Sequence, residues 1–153
     1  MPDFLSDNDD LRFYIDEVID WARLYEEGKL LEGSEPTYES LEEARETWAE
    51  ILGLVATFSA EQIAPFAHEL DTEGMTLHDG EVTFGPRLQG IFDQIAEMGL
   101  HGMCLPGQVG GMNCPLMVYS LTAELMARGD VSVMAHHGFH GGIALAIVTC
   151  AAL

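Results

Sequence analysis

A chain of 153 residues can build one sizeable core, and 48% hydrophobic residues exclude a disordered polymer despite a formal charge of -20. Six Lys plus Arg against 26 Asp plus Glu repel phosphate backbones and anionic lipid heads, which argues against nucleic-acid and membrane-surface partners. Three widely spaced cysteines make no disulfide framework, and "MPDFLSDNDD" has neither a basic n-region nor an apolar h-region, so a cytoplasmic protein is expected.

In chain order, "DNDDLRFYIDEVIDWARLYEEGK" opens with cap and first-turn residues and reads as one amphipathic helix ending at Gly28, with Leu11, Ile15, Val18, Ala22 and Tyr25 on its apolar face. "GSEPTYE", residues 33–39, is a polar loop. Ser40 and Glu43, in capping-box spacing, start a second helix with Leu41, Ala44, Trp48, Ile51, Leu52 and Val55 as its stripe. Pro65 should kink or end it. In "MTLHDGEVTF" the pair Asp79-Gly80 signals a hairpin turn; an extended loop around a turn fits equally. Pro86 suits the first position of a third helix running through Ile91, Ile95 and Met98 to Gly99. A fourth spans roughly 115–128, and Asp130 or Ser132 caps a fifth that runs to the end. The fold class is all-α, about five helices with at most one short hairpin, divided into a helical extension and loop (1–39) and a main helical domain (40–153).

Charge is unevenly placed. Of the acids, sixteen fall in residues 1–50, eight in 51–100 and two in 101–153, and from Val131 onward no Asp, Glu, Lys or Arg occurs. That tail is long enough to span a bilayer, and Gly138 and Gly142 have the small-residue spacing of membrane helix pairs. Three histidines, Ser132, Thr149 and a single flanking cation, Arg128, favour a buried helix of a soluble protein instead. Such an uncharged segment requires a cover from elsewhere.

Three motifs invite chemistry. "GMCLPGQVGGMNCP" lacks the strand and the Lys-Ser or Lys-Thr of a phosphate loop, and Cys104 and Cys114 lack a second ligand pair for zinc, so it reads as a turn with closely packed backbone. "HHGFH" puts His136 and His140 on one helical face without a carboxylate or third ligand, which favours core or cavity-lining histidines over a metal pair. "RGD" at 128–130 falls at a turn between helices and carries no weight.

The segment "EMGLHGMCLPGQVGGMNCPLMVYSLTAELMARGDVSVMAHHGFHGG" resembles the acyl-CoA dehydrogenases: a helix ending Met-Gly-Leu, a Pro-x-x-x-Gly-Gly turn, and a helix bearing Glu124-Leu125 that closes near Gly129-Asp130. Ile63, Ala64 and Pro65 followed by Asp71 resemble that family's first-helix ending, "DNDDLRFYIDEVIDWARL" the N-terminal extension of its longer members, and "HDGEVTFGP" their inserted segment. Gly107-Gln108 departs from the acidic residue usual after the turn proline.

The resemblance implies a helical N-terminal domain that precedes an FAD-binding β domain and a C-terminal bundle carrying the catalytic base. In that chemistry a carboxylate removes the proton α to an acyl-CoA thioester while the β hydride passes to flavin, giving a trans-2-enoyl-CoA. It further implies electron-transfer flavoprotein as a partner and a homo-oligomer. The sequence contains neither the flavin-binding segments nor the base, so this piece is expected to be inactive by itself and not to hold FAD; Glu124 is a helix residue, not the base. Carried over by position, Val133, Met134, His137, Gly138 and Gly141 are acyl-pocket wall, with interhelical core as the equal alternative. His137 in such a wall suggests a polar or short acyl group. The rival reading is an acidic helical interaction module that uses its apolar C-terminal helix and has no catalytic role.

Overall fold

The computed structural model describes residues 3–32 and 37–151. Residues 33–36 of the polar loop and the last two residues lie outside that description. The chain is mostly helical, with one hairpin, as expected.

The first helical segment differs from the expectation. α1 (Asp9–Phe13), capped by the Asn8 side chain, passes into a π-helical turn at Tyr14–Val18 and stops at Ile19, which is extended. A new helix, α2 (Trp21–Glu32), then starts, and the Asp20 carboxylate accepts from the Arg23 amide at 3.0 Å. The Trp21 indole N–H donates to the Ile15 carbonyl at 2.8 Å and fixes the bend. A single amphipathic stripe is therefore lost: Leu11 is buried, but Val18 is 52% exposed and Ala22 also faces solvent. Nor does Gly28 end the helix, since α2 continues to Glu32.

α3 (Leu41–Phe58) follows its sequence signals closely. Ser40 Oγ accepts from the Glu43 amide at 3.1 Å, and the Glu43 carboxylate reaches back to the Glu39 amide at 2.7 Å. Ala44, Trp48, Ile51, Leu52 and Val55 are buried. A π-helical turn at Ser59–Ile63 and a tight turn at Ala64–Phe66 around Pro65 redirect the chain into α4 (Ala67–Glu73). β1 (Met75–His78) and β2 (Glu81–Phe84) pair antiparallel, Met75 opposite Phe84. Asp79 and Gly80, with φ of 51° and 85°, form the two-residue turn that the sequence signalled.

α5 (Pro86–Glu97) begins with Pro86 in its first turn, and Gly99 beyond it adopts φ 70°. α6 (Leu116–Gly129) and α7 (Val131–Ala151) are joined through extended Asp130. Asp130, not Ser132, caps α7: its carboxylate accepts from the amides of Ser132 and Val133 at 2.8 and 3.1 Å. The neighbouring members of that triplet are also structural. Arg128 forms a two-point ion pair with Asp7 and lies over the Phe4 ring, fastening the N-terminal segment to α6. Gly129 is pressed against Ile63 and the Ser59 carbonyl.

One core unites these elements. It runs from Leu11, Trp21 and Trp48 through Val55 and Ile63 to Ile95, Leu125 and Val133. Trp48 lies between Trp21 and Tyr38, ring centroids 5.7 and 5.8 Å away, so the extension packs directly on α3.

Candidate functional site

The Pro/Gly connection between α5 and α6 is a knot of internal hydrogen bonds. Amides of Gly110, Gly111, Asn113 and Cys114 donate to carbonyls of Gly107, Pro106, Leu105 and Met103 at 2.9, 3.1, 2.9 and 2.7 Å. Gly110 has φ 84°, and a Cβ at Gly111 would run into the Leu105 carbonyl. These amides are consumed within the turn, so it is no phosphate cradle. The glycines serve close backbone packing, as the sequence suggested.

This knot holds His101 against α7. His101 and His137 have ring centroids 5.4 Å apart, His101 and His140 5.1 Å, and His136 and His140 4.8 Å. Tyr119 of α6 completes the cluster, 5.4 Å from His137. Its hydroxyl donates, shared, to the carbonyls of His137 and Gly138 at 3.1 and 3.0 Å. Gly141 is explained by the same ring: a Cβ there would collide with the Tyr119 hydroxyl. His136 packs on Phe92 and Phe84 at 4.5 and 5.1 Å.

His137 is fully buried, and neither ring nitrogen has a hydrogen-bond partner among the described residues. Burial first, then His101 and His140, pull its pKa down from 6.5 to about 4. Burial also lowers His101 and His136, with neighbouring histidines adding to the effect. Desolvation thus favours the neutral imidazole at His101, His136 and, most strongly, His137. The Cys104 thiol is pushed up to about 12 by burial and by Cys114, and Cys114 to about 11 by burial, so neither is a thiolate nucleophile. Among the described residues no group of three or more His, Cys, Asp or Glu is arranged to hold a metal ion.

The structure distributes the candidate wall residues along α7 as follows. Val133, His137 and Gly141, four apart, are buried on the line facing α6. Met134 is half-buried against the core, and Gly138 is half-buried with open space where a Cβ would stand. Glu124 is exposed on α6. Sequence reading missed His101 and Tyr119. Only their separation in sequence hid them, for both sit on apolar-patterned segments next to recognised turns.

A separate cavity of about 440 Å³ opens at the N-terminal end of α6, between α2, the Cys104–Cys114 loop and Leu145 of α7. None of the five candidate wall residues lines it.

This arrangement defines a small helical domain that carries a glycine-locked turn and a histidine cluster around the buried His137. The family description "Acyl-CoA dehydrogenase, N-terminal domain" matches residues 45–152, and the chain belongs to that family. It is similar to a 3-methylmercaptopropionyl-CoA dehydrogenase of Ruegeria pomeroyi, 32% identical over 98 residues, covering 59% of this chain and 17% of that protein. It is also similar to a benzylmalonyl-CoA dehydrogenase of Aromatoleum aromaticum, 37% identical over 78 residues, 51% of this chain and 18% of the relative. The matched segment spans less than a fifth of either relative.

Proposed function

We propose that the chain is the N-terminal helical domain of a flavin-dependent acyl-CoA dehydrogenase that oxidises an acyl-CoA thioester to a trans-2-enoyl-CoA, supplying pocket wall and no catalytic base. The family match over most of the chain carries this reading. Met134, Gly138 and the buried line Val133, His137 and Gly141 are the wall of that reading, on the α7 face nearest the turn. A neutral imidazole in the wall favours a polar or short acyl group over a long plain aliphatic chain.

The residues present do not fit FAD. Five of the six cationic side chains, those of Arg12, Arg23, Lys29, Arg87 and Arg128, each pair with a carboxylate, and the turn amides are engaged internally. Among the described residues this leaves Arg45 as the one cation outside an ion pair to meet a pyrophosphate. FAD, the base, the contact with electron-transfer flavoprotein and the oligomer interface would belong to the remaining length of a protein of this kind. A cytoplasmic, reducing location suits three free cysteines.

The test is a chimera in which this chain replaces the corresponding domain of the 3-methylmercaptopropionyl-CoA dehydrogenase. A yellow protein that reduces an artificial acceptor with an acyl-CoA is expected. A folded, FAD-loaded chimera inactive on a panel of short acyl-CoAs would overturn the reading. A non-enzymatic interaction module is the second reading, favoured by the exposure of Phe139 (71%), Ile143 (58%) and Ile147 (63%) on α7.

A further inference from the structure

We infer that the cavity of about 440 Å³ at the N-terminal end of α6 is a binding site for an uncharged apolar compound, an aliphatic chain or aryl group, and that Gly28 keeps it open. This goes beyond the dehydrogenase reading and does not rest on it: the α2 wall lies outside the family-matched residues 45–152.

The size falls within the ~300–1,000 Å³ range of small-molecule sites. Its walls are mostly apolar, with Leu24, the Trp48 ring, Leu116, Met117 and Leu145 prominent. Asn113 also lines it, and the Trp48 indole N–H has no hydrogen-bond partner among the described residues. Hydroxyls that reach it are already engaged. Tyr25 donates to the Tyr38 carbonyl at 3.3 Å, Tyr38 to the Met112 carbonyl at 2.9 Å, and Ser120 to the Leu116 carbonyl at 2.9 Å. Lys29 is held by Glu26. The thiols of Cys104 and Cys114, kept protonated by burial, add no charge. Glu27, also in the lining, and the formal charge of -20 disfavour a carboxylate ligand.

Gly28 is the second observation. It stands inside α2, where glycine weakens a helix. It does not have the positive φ of a cap, and among the described residues nothing lies within 4 Å of where its Cβ would be. Neither backbone geometry nor crowding requires glycine here. The residue lines the cavity, and a side chain here would have open space beside it.

The experiment is a titration of the chain with decan-1-ol, followed by heteronuclear NMR. Saturable shifts are expected at the Trp48 indole and at the methyls of Leu24, Leu116 and Leu145. Gly28→Leu should abolish those shifts and raise Tm, so that binding and stability move in opposite directions. Should that variant not fold, Ser120→Phe fills the cavity from the α6 side and must also abolish them. Decanoate at pH 7 should bind at least tenfold more weakly. Three results would each overturn the inference: no saturable shift in the parent chain, undiminished shifts in a folded, filled variant, or equal binding of decanoate. Shifts confined to Phe139, Ile143 and Ile147 would place the alcohol on the outer face of α7 and overturn it too.

Discussion

Acidification should loosen the docking of α7, and His137 should be the main cause. The ring is fully buried, faces His101, His140 and Tyr119, and has no carboxylate among its recorded contacts. Its folded pKa, about 4, lies below the ordinary imidazole value of 6.5. The folded state therefore holds fewer protons than the unfolded one between those values. The associated stability is complete above pH 6.5 and is lost as pH falls towards 4. That lowering corresponds to about 3 kcal/mol in full, of which about 2 kcal/mol is gone by pH 5. Burial of His101 and His136 acts in the same direction. Protonation of the 26 acidic residues relieves self-repulsion and opposes it, so the informative quantity is a difference between variants. His137→Phe keeps an aromatic ring without a titrating group. Urea unfolding followed by circular dichroism at pH 7.5 and 5.0 should show the parent losing about 2 kcal/mol more than the variant over that interval. Parallel pH dependences, or an NMR titration of His137 centred near pH 6.5, would refute the assignment of an unpaired, desolvated imidazole.

Gly141→Ala should destabilise by about 1–3 kcal/mol, because its Cβ meets the Tyr119 ring, and Tyr119→Phe in the same chain should recover part of the loss in a thermal melt. Ser40→Ala should cost about 1 kcal/mol by removing the cap of α3, measured by the same melts. The purified chain should be colourless near 450 nm and should not oxidise acyl-CoAs; stoichiometric bound flavin would contradict the proposed division of labour. Finally, the exposed Ile143 and Ile147, with half-buried Val148, should drive self-association, since each buried aliphatic side chain contributes about 1.5–3 kcal/mol. Sedimentation equilibrium should show a dimer or larger species that Ile147→Asp converts to monomer, and a stable parent monomer at micromolar concentration would count against it.

Where local chemistry dictated structure, the residues disclosed it. Ser40 with Glu43, Asp79 with Gly80, Pro86 and Asp130 each solve a short-range backbone problem, and each sits where its chemistry requires. The bend after α1 was less legible, since the Trp21 indole competes with helix continuation only once it finds the Ile15 carbonyl. Gly28 misled for the opposite reason. A glycine near the end of a periodic segment resembles a stop, yet here the helix tolerates its cost and runs on for another turn.

The histidine cluster shows the same boundary at the level of the site. Three of its rings are adjacent in "HHGFH", but His101 reaches them from the short helical turn that follows α5, ahead of the glycine-rich connection to α6. Which side of α7 is inner was likewise hidden. The helix has no charged residue from Val131 to Ala151, so sequence pattern cannot separate its faces. Packing makes the choice instead. Tyr119 needs carbonyl acceptors and finds them at His137 and Gly138, Gly141 leaves room for its ring, and Val133 fills the core beneath. Phe139, Ile143 and Ile147 are then turned outward together. A single buried tyrosine hydroxyl thus orients both the histidine face and the apolar outer face, so Tyr119→Phe should weaken the register of the whole helix without removing any apolar area from the core.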